Sequence, residues 1–285
     1  MSQVDLHLHS TASDGRFSPD EIVRLAAGRG LSIIALADHD TTDGIVPALV
    51  AAEAFPGLRV IPAVEISTDI PSGEIHVLGY FIDHTDQELA ASLKRFRHSR
   101  EERAGGMVSK LRNLGIRIEL ERVREIAGAG SVGRPHLAQA MLEKGYISSL
   151  KEAFSKYIGH GGPAYVARDK MTPAEAVRLI LGAGGLPVLA HPFTVADPEM
   201  ITSELTAAGL VGIEAYYGGH SAEQINQLLG LAHKYDLIAT GGSDYHGLDD
   251  SAEIMMGEAE VPLESAEKLI ALAERAGARY HKENR

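Results

Sequence analysis

Two histidines and an aspartate lie close together near the start of the chain. Residues 4–10 alternate between apolar and polar side chains, as in a β-strand, so His7 and His9 share one face, and Asp14 follows in the next loop. Imidazoles held side by side at the end of a strand are suited to binding a metal ion. The chain has 13 histidines, so chance placement is the alternative that the rest of the sequence has to decide.

The composition limits the chemistry of such a site. The chain has no cysteine, which excludes disulfides, thiolate metal sites and a thiol nucleophile, so a metal must be bound by His, Asp or Glu. The formal net charge of −12 argues against a broad basic groove for long duplex nucleic acid, but not against a small anionic substrate bound through metal ions. The sequence has no secretory signal and no apolar run of membrane-spanning length, so we expect a cytoplasmic protein.

Short apolar strands alternate with amphipathic helices along most of the chain. This pattern predicts four strands in residues 1–85 and three in residues 159–285. Residues 86–158 are predicted to be helical, with an interruption at Gly105 and Gly106. About seven strands, most of them followed by a helix, indicate a TIM-like α/β barrel with an inserted helical cap, and a doubly wound sheet is the alternative.

Ionisable residues occur where the predicted strands end. They are His7, His9, Asp38, His39, Glu65, His191, Asp244 and His246. Both candidate folds gather the carboxyl ends of their strands at one face. His76 lies nearer the start of its strand, so its convergence does not follow from the pattern, and Glu214 is expected to line the same pocket. Because buried acids and imidazoles are costly unless they are paired or bind a metal, the sequence predicts a multinuclear metal site.

The motifs around these residues resemble those of the PHP (polymerase and histidinol phosphatase) family. They are Asp-Leu-His-Leu-His-Ser at residues 5–10, Asp-Gly at 14–15, Ala-Asp-His-Asp at 37–40 and Ser-Asp-Tyr-His at 243–246. The resemblance implies a distorted (β/α)7 barrel formed by residues 1–85 and 159–285, with residues 86–158 as a cap that contributes to substrate binding. The cap motif at residues 133–138 is similar to that of small phosphoesterases acting on nucleoside bisphosphates, 5′-nucleotides or short RNA.

Carried onto this sequence, the resemblance implies three metal positions. The first is held by His7, His9, Glu65 and Asp244, the second by Glu65, His76 and His191, and the third by Asp14, His39 and His246. Some family members have His in place of Asp14, and a carboxylate is a harder ligand. We therefore expect two or three divalent ions, Mn, Fe or Zn, with Mg an option at the Asp14 position. Asp38 is expected to orient an imidazole ligand.

Such a site permits phosphate ester hydrolysis without a protein nucleophile. Water activated by a bound metal supplies the hydroxide, and neighbouring metals clamp the attacking and leaving oxygens. A second phosphate on the substrate needs other donors, and Arg134 and His136 are the first candidates. Arg100 and Arg103 follow, within a basic segment (residues 94–103) that is otherwise interpreted as a solvated helix face.

The sequence leaves the substrate open. We expect a metal-dependent phosphoesterase that acts on a small phosphorylated substrate, such as a 3′,5′-nucleoside bisphosphate, a 5′-nucleotide or the 5′ end of a short RNA. The alternatives are a phosphatase of another metabolite such as histidinol phosphate, a non-phosphate amidohydrolase, and a non-catalytic metal-binding module. The native metals, the proton donor and the oligomeric state are not specified by the residues.

Overall fold

A seven-stranded β-sheet forms the centre of the computed structural model, which describes residues 2–70, 73–128, 132–167, 171–248 and 253–277. The strands lie in chain order: β1 Val4–Leu8, β2 Ile33–Leu36, β3 Arg59–Ile70, β4 Gly73–Tyr80, β5 Leu186–Leu189, β6 Gly212–Tyr217 and β7 Ile238–Gly242. After β7 the backbone returns to β1, where Asp244 N donates to His7 O at 2.9 Å and His9 N donates to Tyr245 O at 3.0 Å. The sheet is therefore a nearly closed barrel, which confirms the predicted fold class.

Strand β4 runs in the opposite direction to the other six strands. Strands β1, β2 and β3 are parallel, as are β5, β6 and β7, whereas β4 pairs antiparallel with both β3 and β5. The start of β4 consequently lies at the same end of the barrel as the carboxyl ends of its neighbours. This reversal brings His76 to the face where the other predicted ligands meet.

Strand β3 is longer than the predicted strand of residues 59–66. Its first part, residues 59–62, pairs with β2, and residues 63–70 pair with β4. Glu65 therefore lies inside the strand, and the prediction that it ends the strand is wrong. Glu65 nevertheless lies beside the residues that follow β2, because Glu65 and His39 form a parallel bridge.

Helices surround the barrel and form the inserted segment. In the described part of the chain they are α1 Pro19–Gly28, α2 Ile45–Ala52, α3 Gln87–Asn113, α4 Leu120–Ala127, α5 Arg134–Glu143, α6 Leu150–Ala153, α7 Pro173–Gly182, α8 Pro198–Ala208, α9 Ala222–Lys234 and α10 Leu263–Ala276. The same part of the chain also contains a π-helical turn, Phe154–Ile158, and a 3-10 turn, Pro192–Thr194. Helix α7 begins at a capping box, in which the Thr172 side chain accepts from Glu175 N. Within the described ranges, no helix is long and apolar enough to cross a membrane.

Helix α3 connects the barrel to the inserted segment. It is continuous through Gly105 and Gly106, so the predicted interruption is wrong. Gly106 permits a close approach instead, because a Cβ there would lie 3.3 Å from Val166 Cγ2. The first half of α3 buries Phe96 against the barrel, whereas the second half contributes Met107 to a separate apolar cluster within residues 104–166. The inserted segment thus has an apolar core of its own.

Strand β1 is buried on both faces. Leu6 and Leu8 are fully buried in two apolar clusters, and Asp5 and His7, on the opposite face, are equally buried. Ionisable groups in such an environment are costly unless other groups compensate them. The groups that compensate them lie at the mouth of the barrel, which is the end where the carboxyl ends of the parallel strands meet.

Candidate metal centre

The carboxylate of Glu65 lies at the centre of the mouth and is fully buried. Its Oε1 atom is 2.7 Å from His76 Nδ1 and 3.0 Å from His191 Nε2. Its Oε2 atom is 3.0 Å from His39 Nδ1. The structure therefore brings together the three residues of the predicted second metal position, and it adds His39 to them.

Strand β1 and the segment after β7 complete a second group. His7 Nε2 and His9 Nε2 lie 3.2 Å and 3.3 Å from Glu65 Oε2. The same two nitrogens lie 3.4 Å and 2.9 Å from Asp244 Oδ1. These four residues, which are those of the predicted first metal position, have candidate ligand atoms within 4.8 Å of one another.

Asp14 lies in a third group. Its Oδ1 atom is 3.4 Å from His246 Nε2 and 3.9 Å from His9 Nδ1, and its Oδ2 atom is 4.0 Å from His39 Nε2. The predicted third position comprises Asp14, His39 and His246, and the structure adds His9 to it. His9 offers one ring nitrogen to each of two groups, so these groups are adjacent.

Several buried atoms of these groups make no hydrogen bond of good geometry within the described residues. They are His7 Nε2, both ring nitrogens of His9, Asp14 Oδ1, Glu65 Oε2, His191 Nδ1 and Asp244 Oδ1. Unsatisfied buried polar atoms are destabilising, and native proteins contain few of them. Divalent cations would satisfy them, and a set of imidazole and carboxylate donors suits Mn, Fe or Zn. The residues therefore fit a multinuclear metal site.

Burial and neighbouring charges set the protonation of these imidazoles. Burial, reinforced by His246, lowers the pKa of His9 to about 3, and burial lowers the pKa of His76 to about 4. Both rings are consequently neutral and offer lone pairs, the form in which imidazole binds a metal. Against the opposing effect of burial, the nearby Asp14 carboxylate raises the pKa of His246 to about 10. In the metal-free protein a proton on His246 therefore provides positive charge beside Asp14.

Glu214 contacts the ring of one histidine and the backbone of another, a role that the sequence did not reveal. Its Oε1 atom lies 3.0 Å from His7 Nδ1, and its Oε2 atom accepts from the His191 backbone N at 2.8 Å. A carboxylate on the second nitrogen of a metal-binding imidazole fixes its tautomer and increases its basicity. Asp5 was also missed. It accepts from Ser243 N at 3.0 Å and so attaches β1 to the segment after β7.

Asp38 does not orient an imidazole, contrary to the prediction. Among the described residues, its Oδ1 atom accepts from Ser10 N at 2.7 Å and from Ser13 Oγ at 2.6 Å, and its Oδ2 atom accepts from Ser10 Oγ at 2.7 Å. Neighbouring residues at a strand end point in opposite directions, so His39 faces the cluster and Asp38 faces away from it. Asp38 instead attaches the loop that carries Asp14 to the end of β2.

Two of the predicted phosphate donors lie on the buried side of α3. Arg100 and Arg103 are only 6% and 5% exposed, so the basic segment is not a uniformly solvated helix face. Arg100 donates from Nε to Asp40 Oδ2 and from Nη2 to Ser67 Oγ, both at 2.6 Å. Arg103 Nη1 donates to Glu74 Oε1 at 3.2 Å. The structure thus places both guanidinium groups against the barrel strands.

The other two predicted donors lie in the first turn of α5. Arg134 forms an ion pair with Glu74, and the buried ring of His136 accepts from Gly133 N at 3.0 Å. Gly133 lies beside the cluster, because a Cβ on it would be 3.7 Å from Asp14 Oδ2. The start of α5 therefore borders the third ligand group.

Known structures and curated relatives identify the class of protein. A crystal structure described as a metal-dependent phosphoesterase of Bifidobacterium adolescentis superposes with a TM-score of 0.85 at 28% identity, over 94% of this chain and 95% of that one. A 3′,5′-nucleoside bisphosphate phosphatase of Chromobacterium violaceum is 35% identical over 251 residues, which cover 86% of this chain and 88% of the relative. The molecule is a metal-dependent phosphoesterase.

The family follows from the sequence match. The PHP domain model matches residues 5–178. A 5′–3′ exoribonuclease of Haemophilus influenzae is 35% identical over 248 residues, 86% of this chain and 90% of the relative. The chain belongs to the PHP domain family, which confirms the resemblance recognised in its motifs.

Proposed function

We propose that the protein hydrolyses a phosphate monoester of a nucleotide, with preference for one that carries a second phosphate, such as a 3′,5′-nucleoside bisphosphate. The observation that carries the proposal is the adjacency of two kinds of charged groups. Ligand groups gather around Glu65, and guanidinium groups of the inserted segment lie next to them, with Arg100 reaching Asp40 and Ser67. The ligand groups suit the phosphate that is hydrolysed. The guanidinium groups suit the second phosphate, which is bound without reacting.

The three ligand groups would hold two or three divalent cations. The assignment is His7, His9, Glu65 and Asp244 for the first, Glu65, His76 and His191 for the second, and Asp14, His39 and His246 for the third. Mg²⁺ or Mn²⁺ suits the Asp14 position best, because a carboxylate is a hard ligand. When bound, these cations supply a hydroxide nucleophile and neutralise the charge of the phosphate.

The protein residues contribute position and charge. Glu65 contacts imidazoles from four different strands or strand ends, so it fixes the spacing of the whole cluster. Glu214 holds His7 through the ring nitrogen Nδ1, and Asp38 holds the loop of Asp14. A reaction centre whose ligands are held before the substrate arrives needs little reorganisation in the transition state.

The inserted segment acts as a cap that binds the second phosphate. Arg134 and Arg103 both contact Glu74, which lies two residues before His76 on the same face of β4. A phosphate binds a guanidinium bidentately and carries more charge than a carboxylate, so it competes well for Arg134. His136 and Gly133 bring the first turn of α5 beside the cluster, which completes the cap.

A second candidate is removal of nucleotides from the 5′ end of short RNA. The similarity to the Haemophilus influenzae exoribonuclease favours it, at the same 35% identity as the bisphosphate phosphatase. The terminal phosphate would then occupy the arginine side and the next phosphate would lie on the ligand groups. The net charge of −12 favours short over long nucleic acid.

A substrate panel with Mn²⁺ tests the proposal, with turnover measured as released phosphate for the phosphate esters and as released amine for an amide substrate. Adenosine 3′,5′-bisphosphate should give the highest kcat/KM, above AMP, histidinol phosphate and an amide substrate. A 5′-phosphorylated RNA trinucleotide, analysed by chromatography, separates the exonuclease from the phosphatase. Turnover of histidinol phosphate or the amide without turnover of any nucleotide would contradict the proposal.

A further inference from the structure

Three aromatic rings lie together at the rim of the metal cluster. The Tyr217 ring is 5.5 Å from that of His191, His220 is 4.9 Å from Tyr217, and Phe193 is 5.2 Å from His220, all measured between centroids. Phe193 lies in the turn after β5, and Tyr217 and His220 lie at and just after the end of β6. All three rings are partly exposed. An accessible aromatic surface therefore lies beside His191, a predicted metal ligand.

The aromatic rings are held in place by the turn that carries them. His220 N donates to Tyr217 O at 3.0 Å, and the His220 ring nitrogen Nδ1 lies 3.2 Å from Ala215 O. A Cβ on Gly219 would come within 2.8 Å of Tyr217 Cε1, so only glycine leaves this space beside the ring. The Tyr217 hydroxyl donates to Asp244 Oδ2 at 3.1 Å, which fixes the ring relative to the cluster.

His220 also has a defined hydrogen-bonding character. A carbonyl only accepts, so the contact with Ala215 O places the proton on Nδ1 and leaves Nε2 as the acceptor of a neutral ring. Burial lowers the pKa of His220, which keeps the ring neutral near pH 7. A neutral aromatic ring with one acceptor is suited to an uncharged partner that carries N–H donors.

We infer that Phe193, Tyr217 and His220 form a subsite for the base of a nucleotide, a role that rests on the proposed function. Bases stack on aromatic side chains whatever their identity, because every base has a π-face. The arginines approach the cluster from the side of β2 to β4, and the aromatic rings approach it from β5 and β6. A nucleotide with one phosphate on the cluster therefore has donors for a second phosphate on one side and a stacking surface on the other.

Two variants test this subsite without touching a metal ligand. His220→Ala removes a ring, and Phe193→Leu retains apolar bulk but removes the aromatic face. Tyr146→Leu serves as the matched control, because Tyr146 is 38% exposed and lies in the inserted segment, after α5. Binding of a non-hydrolysable phosphonate analogue of AMP, and of the corresponding analogue of ribose 5-phosphate, is measured by calorimetry on Mn²⁺-loaded protein, with metal content determined on each sample.

The wild type should bind the AMP analogue about tenfold or more tightly than the ribose analogue, and each variant should lose most of that preference. The control should retain it. Equal binding of the two analogues by the wild type, or an equal loss for both in the variants, would overturn the base subsite and leave the phosphoesterase intact. Failure of the wild type to bind either analogue would overturn both the base subsite and the proposed nucleotide substrate.

Discussion

The barrel mouth and the inserted segment both bring charged residues to the same site. The two sets differ in whether the protein itself provides their partners. At the mouth, buried candidate ligand atoms such as His7 Nε2 and Asp244 Oδ1 make no hydrogen bond of good geometry among the described residues. In the inserted segment, the guanidinium groups of Arg100 and Arg103 are paired with carboxylates of the barrel. The mouth therefore has buried donor atoms that divalent cations would satisfy, whereas the arginines are neutralised until an anion competes for them.

This difference determines how each region responds to substitution. Glu65 is shared by several imidazoles, so its loss disturbs the whole cluster at once. The arginines contact carboxylates outside the ligand groups, Arg100 at Asp40 and both Arg103 and Arg134 at Glu74, so the loss of one leaves the shared carboxylate of Glu65 in place. Substitutions at the mouth should change metal content and activity together, and substitutions in the inserted segment should change substrate binding alone.

The largest effect is expected for Glu65→Gln. The change retains shape but removes the shared charge, so activity should fall about a thousandfold, and metal content should fall with it. Glu53→Gln, at an exposed position on α2's C-terminal side, is the matched control. Metal analysis and phosphate release measured on the same samples check the prediction, and a wild-type metal content in Glu65→Gln would refute the shared-ligand arrangement.

Glu214→Gln should have the next largest effect. Loss of the carboxylate on His7 Nδ1 should weaken metal binding about 10- to 100-fold, the usual range for such outer residues. Titration with Mn²⁺ measures the affinity, and activity should recover partly at high metal concentration. Unchanged affinity would mean that Glu214 contributes to packing alone.

Arg134→Ala tests whether the inserted segment affects substrate binding without affecting metal binding. The KM for adenosine 3′,5′-bisphosphate should rise about tenfold, because one charge-assisted contact to phosphate is lost, and metal content should stay constant. Arg117→Ala, exposed in the inserted segment, is the control. A change in metal content with an unchanged KM would show that Arg134 belongs to the mouth and not to a phosphate subsite.

Asp38→Asn should have the smallest effect. Asp38 accepts three hydrogen bonds from Ser10 and Ser13, so its replacement should lower Tm by a few degrees. The number of bound metals should not change, in contrast to Glu214→Gln, where affinity falls. A 10-fold or greater loss of metal affinity would contradict this prediction and would show that the bonds to Ser10 and Ser13 are needed to hold Asp14 in place.

More of the barrel mouth than of the inserted segment could be predicted from the sequence. Predicted ligands such as His39 and His191 follow buried strands. Because parallel strands gather their carboxyl ends, position in the sequence is enough to predict that these residues lie together. His76 required the reversal of β4, which comes from long-range pairing and has no local signal. Glu214 and His7 are 207 residues apart, so their contact follows only from the closed barrel.

The inserted segment was predictable as helical, but its buried face was not. Arg100 and Arg103 lie in a run of charged residues, which predicts a solvated surface, and their burial depends on partners from the barrel. Gly105 and Gly106 predicted an interruption, whereas tertiary packing against Val166 keeps α3 continuous. Glycine's low helix propensity is a weak signal when a close approach requires it.

The central claim is that the barrel mouth binds several divalent cations through ligands shared at Glu65. Its most direct test is the number of metal ions per chain, measured by plasma mass spectrometry after loading wild-type protein with Mn²⁺ and removing unbound metal. The arrangement predicts two or three ions per chain, with phosphate release proportional to occupancy. Fewer than one ion per chain in a sample that still releases phosphate at the full rate would contradict it.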